Sequence, residues 1–281
     1  MFNYTIKYTA ENIYENPVFE AFWQYLVTPE DNATQELTSS LFKISEDFSI
    51  EKSINGYNFE TTRIHCKKPF ESIKFEAVFK LVKKEEGPLK IDPKFKVEDD
   101  YNAIDDAIFK IDNEASLNAT VLTTLTEKYS DLFMFDKSKS ILDNLKTLNE
   151  WASKYFSYKT DVTTPDTLLK EVIEKKQGVS KDFTHLFCAI SRKNKIPARC
   201  VSGYLHQGDS LVGESKMHTW VEVFVPNLGW IGFDPTNNIL TDHNYIKVAD
   251  GRDYSECAPL KQILMAYGEE EVKLVVEVTY E

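Results

Sequence analysis

The stretch Gly178-Val179-Ser180-Lys181-Asp182-Phe183-Thr184-His185 joins two helical segments and puts a hydroxyl at the head of the second. Gly178 stops the first segment, and Phe183, Leu186, Phe187 and Ile190 recur with the period of a buried helical stripe, with Pro197 just past its end. A helix is therefore predicted to begin near Ser180. A side chain at that position faces the positive end of the helix dipole and the first unbonded backbone N–H groups, a setting that acidifies a thiol and can hold an oxyanion. The backbone N–H groups of Ser180 and Lys181 are the expected oxyanion donors.

Downstream, His218, Trp220, Glu222 and Phe224 share one face of a predicted strand, and Trp230, Gly232 and Asp234 share a face of the next. If Val225 to Gly229 form a five-residue loop, Phe224 opposes Trp230, Trp220 opposes Asp234, and His218 lies diagonal to Asp234 on the same face. A four-residue loop would put the two on opposite faces. In the first arrangement His218 is a general base toward position 180 and Asp234 fixes its tautomer.

Working outward, residues 1–95 are rich in period-two runs, such as Ile73, Phe75, Ala77, Phe79 and Leu81, and read as a β-rich N-terminal domain. Lys83 to Pro88, followed by Pro93, breaks the pattern, so the boundary is placed there and residues 96–281 form a second domain. Within it, Ile141, Leu145, Leu148, Trp151 and Tyr155 predict an amphipathic helix over 138–157. Thr164 and Pro165 suggest the cap and first position of another. Strands are expected over 198–204, 220–225, 230–234 and 272–280.

With 281 residues, the chain can bury a large core. Its net charge of −12 is spread as mixed Asp, Glu and Lys without a basic run, which argues against nucleic acid as a partner. The first eight residues alternate like a strand and carry no secretory pattern, and no apolar stretch approaches the roughly 20 residues of a membrane-spanning helix. The expectation is a cytoplasmic protein with no membrane partner. Cys66, Cys188, Cys200 and Cys257 are widely spaced and read as isolated buried thiols.

The segments Gly178 to Leu186, Ile196-Pro197-Ala198-Arg199, Ser202-Gly203-Tyr204-Leu205, His218 to Glu222 and Gly229 to Asn237 together resemble the transglutaminase-like superfamily. The likeness continues through Gly251-Arg252-Asp253-Tyr254 and Pro259-Leu260, and the N-terminal third resembles the β-rich domain that precedes this core in bacterial members. The resemblance implies an α+β, papain-like core with a Cys-His-Asp triad, acting on amide bonds of proteins or peptides through an acyl-enzyme, without metal or organic cofactor. His218 and Asp234 match the family's His and Asp, while Ser180 stands where the family has its nucleophilic cysteine. A hydroxyl is far less acidic than a thiol, whose ordinary pKa is about 8.5, so impaired or absent turnover is expected. The alternative is a non-catalytic module that holds a peptide or protein in the same cleft.

No other thiol takes over: Cys188 lies eight residues beyond Ser180, about 12 Å along the helix axis and ~80° around it. Asp182 and His185, three apart, could imitate a metal site with His206 or His218, but a charge near the helix start and a satisfied buried histidine are the simpler reading. Trp220, Trp230 and Tyr204 are candidate substrate contacts, with packing as the competing role.

Overall fold

A computed structural model describes residues 1–45, 48–85, 89, 96–206 and 217–280. The N-terminal strands are β1 (Phe2–Val18), β2 (Glu20–Tyr25), β3 (Gln35–Ile44), β4 (Ile50–Ile54), β5 (Glu60–Cys66) and β6 (Phe70–Lys83). They are followed by helices α1 (Val97–Asp105), α2 (Ala107–Asp112), α3 (Glu114–Leu117) and α4 (Ile141–Tyr155). Next come β7 (Ser157–Tyr158), α5 (Leu169–Lys175), β8 (Gln177–Gly178) and α6 (Ser180–Lys193). The remainder is β9 (Ala198–Leu205), β10 (His218–Val225), β11 (Gly229–Asp234), β12 (Ile239–Leu240), β13 (Tyr245–Gly251), α7 (Tyr254–Cys257), β14 (Leu260–Met265) and β15 (Glu270–Tyr280).

Two antiparallel sheets, β15-β1-β6-β3 and β14-β2-β5-β4, pack their apolar faces together. The period-two alternation causes this: Tyr4, Ile6, Tyr8 and Ala10 of β1 and Phe75, Ala77 and Phe79 of β6 all point inward, where Tyr25 stacks on Phe75 with ring centroids 4.0 Å apart. The sequence reading puts residues 260–280 with the second domain, but β14 pairs with β2 and β15 with β1, so the chain returns to complete both N-terminal sheets. Alternation alone identifies a strand, not its partner. Much of the proposed boundary, Glu86-Gly87-Pro88 and Pro93, lies outside the described residues.

The second core is the antiparallel sheet β12-β11-β10-β9-β13, with α6 across one face. Leu186, Phe187 and Ile190 of α6 share an apolar cluster with Val221, Val223 and Phe233 of the sheet and with Leu145 and Leu148 of α4. The two cores are joined by specific bonds. Tyr204, fully buried, donates its hydroxyl to Val27 O at 2.6 Å. The Gln35 side-chain amide both donates to Lys247 O (2.7 Å) and accepts from Lys247 N (3.0 Å). Gly203 allows β13 and Trp220 to close in, because a Cβ there would lie 2.2 Å from Ile246 O and 2.6 Å from the Trp220 ring.

Two local expectations change. Thr164 and Pro165 do not open a helix: Thr167 N bonds to Thr164 O at 3.2 Å and Thr164 N to Thr167 Oγ1 at 2.8 Å, closing a turn with Pro165 at its second position, and α5 begins only at Leu169. Nor does Gly178 end α5. Lys176 does so in the left-handed region (φ 52°), and Gly178 has another task, making room for Asp182, whose Cβ and Oδ2 would each be 2.7 Å from an added Cβ.

Candidate active site

Ser180 is the first residue of α6, as the apolar stripe predicts. Asp182 N and Phe183 N make the first bonds back to Val179 O, at 2.8 and 3.4 Å, so the N–H groups of Ser180 and Lys181 precede the intrahelical ladder. The Asp182 carboxylate secures this end. It accepts from Val179 N (2.9 Å), the Thr163 hydroxyl (2.6 Å) and Lys181 Nζ (2.6 Å), and it is completely buried. Lys181, itself buried, also donates to Thr163 Oγ1 at 3.1 Å.

A pocket of about 190 Å³ opens at this terminus, lined by Ser180 and Lys181 on one side and Met217, His218 and Thr219 on the other. Tyr158, Tyr254, Pro259 and Leu274 complete its walls, the last contributed by β15 of the N-terminal sandwich. His218 Nε2 donates to Asp234 Oδ2 at 2.7 Å, which makes Nδ1 the basic nitrogen of the ring. The register that permits this has Phe224 opposite Trp230, as expected, but Val225 and Gly229 also pair, so the connection itself is the three residues Pro226-Asn227-Leu228 and not five. Asn227 and Gly229 take positive φ values of 63° and 82° to make the turn.

Asp234 is held on all sides. Oδ1 accepts from Thr236 N (2.8 Å) and Asn237 N (3.2 Å), and Oδ2 accepts from Asn237 Nδ2 and the Tyr245 hydroxyl, both at 2.7 Å, as well as from His218. Burial pushes its pKa up, but the His218 charge and these donors outweigh burial and hold it down at about 2. The carboxylate therefore stays ionised and fixes the imidazole. Burial and the Asp234 charge in turn push the Tyr245 phenol far up, so it acts only as a donor. Of these partners, Thr236 and Asn237 follow Asp234 directly in the sequence, whereas Tyr245 comes from β13 with no local signal.

The other candidates take structural roles. Asp182 serves the helix end, and His185 Nε2 accepts from Tyr254 N at 3.0 Å. Desolvation lowers the His185 pKa to about 4, keeping it a neutral acceptor. Among the described residues no group of three or more His, Cys, Asp and Glu side chains is arranged to hold a metal. Tyr204, proposed as a substrate contact, is instead the buried tether to Val27. Trp220 likewise is not in the Ser180 pocket. It packs edge-on to Tyr245 at 5.4 Å and lines a separate cavity of about 440 Å³ with Trp230, Arg199 and Lys247. It shares an apolar cluster with Val201, Leu205 and Tyr245. The cysteines are free and buried, and burial pushes the Cys188 thiol up to about 11. They are not all isolated, since Cys200 and Cys257 have their sulfurs 3.7 Å apart. Of the loop at 206–210, residues 207–210 lie outside the described residues.

A helix whose N-terminus abuts an antiparallel sheet carrying a His-Asp pair is the papain-like α+β arrangement. Residues 133–235 match the Transglutaminase-like superfamily, so the chain carries a transglutaminase-like domain over this segment. An uncharacterized protein of Mycobacterium leprae is 37% identical over 133 residues, 46% of this chain and 47% of the relative. One from Mycobacterium tuberculosis is 33% identical over 165 residues, 56% of this chain and 52% of the relative. The chain thus spans about half the length of the curated relatives it matches. A crystal structure from Cytophaga hutchinsonii, described as a "putative cysteine protease", superposes over 99% of this chain and 90% of its own with a TM-score of 0.77 at 18% identity, a likeness of fold.

Proposed function

We propose that the pocket at the head of α6 is an acyl-transfer site for amide bonds of proteins or peptides in which Ser180 occupies the nucleophile position and the chemistry is largely silenced. One observation carries the reading: Ser180 at the helix N-terminus shares a pocket with His218, whose Nε2 is held by an ionised Asp234. His218 Nδ1 would take the proton of the attacking group, Asp234 would hold the tautomer, and the N–H groups of Ser180 and Lys181 would stabilise the oxyanion. Hydrolysis and cross-linking share this first half-reaction and differ only in whether water or an amine attacks the acyl group. A site built to support a thiolate-imidazolium pair gives a serine hydroxyl little activation, because the hydroxyl is far harder to ionise. That same substitution favours a second reading, in which the pocket retains a peptide without cleaving it.

The test is Ser180→Cys against the protein as it stands, with a cysteine-directed alkylator at mildly acidic pH and a panel of fluorogenic peptide amides. Fast modification of the new thiol, lost on His218→Ala and accompanied by turnover, is the expected result. A sluggish thiol of ordinary pKa would overturn the acyl-transfer reading. Peptide capture by the Ser180 protein without turnover would support the retaining role.

A further inference from the structure

We propose that the outer face of the β14-β2-β5 sheet is a docking groove for an extended, acidic protein segment bearing apolar side chains, and that it guides the substrate of the Ser180 pocket. The second half rests on the function proposed above. The first rests on the groove alone.

The groove has a volume of about 1080 Å³. Its floor is ordered in two rows set by the strand register. Ile263 of β14, Phe22 of β2 and His65 of β5 form one row across the sheet, and Lys261, Gln24 and Arg63 form the next. Phe22 and Ile263 are 44% and 73% exposed, an apolar ledge on the outside of a sandwich whose inner face already holds Trp23 and Ile64. His65 stacks on Phe22 at 3.8 Å and is anchored by Glu20 Oε1 at 2.9 Å, so the ledge is fixed in shape.

Charge identifies the occupant. Arg63, Lys67, Lys68 and Lys261 line the groove against one carboxylate, Glu51, in a chain whose net charge is −12. All four cations are exposed, and none is in an ion pair among the described residues. Arg63, Lys67 and Lys68 lie close together in the sequence, and the pairing of β14 with β2 and β5 brings the distant Lys261 into one row with Arg63. The apolar and cationic rows are two residues apart along each strand, about 6.6 Å, which is also the i, i+2 spacing of an extended peptide. A segment with an apolar residue and, two positions on, an acidic one matches both rows. A polynucleotide would face the acidic remainder of the molecule with only this short patch to neutralise it. The groove and the Ser180 pocket are neighbours along the chain: Lys261 lines the groove, and Pro259, two residues before it, lines the Ser180 pocket.

The test uses the full chain with Ser180 in place and a short fluorescein-labelled peptide repeating Phe-Ser-Glu-Ser, followed by anisotropy. Binding is expected to weaken about tenfold in Arg63→Glu/Lys261→Glu and to fall with added salt. Phe22→Ser provides an independent check on the apolar ledge and should also weaken it. Unchanged melting temperatures confirm that these surface variants are folded. No binding, equal binding of the peptide with Lys in place of Glu, equal competition by oligothymidylate, or binding unaffected by the variants would overturn the groove. In Ser180→Cys, a peptide amide extended by this sequence should show a KM raised by the Arg63→Glu/Lys261→Glu change at constant kcat. An unchanged KM would overturn the guiding role. Because anisotropy needs no turnover, an inactive Ser180→Cys would count against the proposed function while leaving the groove intact.

Discussion

Asp182→Ala should be among the most damaging single changes in the molecule, although Asp182 is not part of the reactive pair. Its carboxylate is completely buried and accepts three bonds, from Val179 N, Thr163 Oγ1 and Lys181 Nζ. Lys181 has a side chain only 8% exposed, so removing its partner strands a cation in the interior. Breaking a buried pair from one side costs about 3–5 kcal/mol, and loss of the helix-end contact adds about 1 kcal/mol, although the two share atoms and will not add fully. The expected loss is about 4 kcal/mol, a large share of a domain's net stability of roughly 5–15 kcal/mol.

The companion change decides the mechanism. Lys181→Met leaves the carboxylate its Val179 N and Thr163 donors and should cost about 1 kcal/mol, and Lys181→Met/Asp182→Ala about 1–2 kcal/mol, giving a coupling energy of about 3–4 kcal/mol in a double-mutant cycle. Urea midpoints at constant slope measure all four corners. Should Asp182→Ala prove too unstable, Thr163→Val, which removes a 2.6 Å donor to the same carboxylate, serves as a milder probe at about 1–2 kcal/mol. A loss below about 1.5 kcal/mol for Asp182→Ala, or a coupling below about 0.5 kcal/mol, would refute the claim that this buried pair secures the end of α6.

Two further outcomes are expected. Tyr245→Phe deletes a 2.7 Å donor to Asp234 and should cost about 1.5–3 kcal/mol at neutral pH, with the difference narrowing as the pH falls toward about 2, where Asp234 takes up its proton; a pH-independent cost would point to lost packing instead. His185, with its pKa depressed to about 4 from 6.5, contributes stability that is complete above the unfolded value and is lost as pH falls through the folded one, so about 2 kcal/mol should disappear between pH ~7.5 and ~5. His185→Gln keeps an acceptor for Tyr254 N without the titration, and urea midpoints across that range should be flatter in it than in the parent; equal slopes would clear His185 of the effect.

What the sequence carried was local. The α6 stripe, the α4 stripe and the alternation of β1 and β6 each follow from periodicity within one segment, and each element appears where that periodicity places it. The His218–Asp234 contact was legible only conditionally, because a one-residue change in the connecting loop would turn Asp234 to the other face. Asn227 and Gly229, residues that tolerate positive φ, were the available clue to the register with Phe224 opposite Trp230. Trp220 and Tyr204 misled because an aromatic beside such a motif looks the same in sequence whether it lines that cleft, lines a separate cavity as Trp220 does, or is buried as Tyr204 is. Tyr245 and Gln35 were invisible as supporting or joining residues, since their partners lie in distant strands.

The distribution of these contacts limits what the family match alone can carry. The matched segment ends at residue 235, yet Tyr245 holds Asp234 from β13, Tyr254 and Pro259 line the pocket, and Leu274 closes one wall from β15. β15 in turn is fixed by eleven residue pairs with β1, at the opposite end of the chain. The site therefore draws on β13, on the segment around α7 and on one strand of the N-terminal sandwich in addition to the matched segment. Excising 133–235 would leave His218 and Ser180 in sequence but remove the phenol that steadies Asp234 and the strand that bounds the pocket.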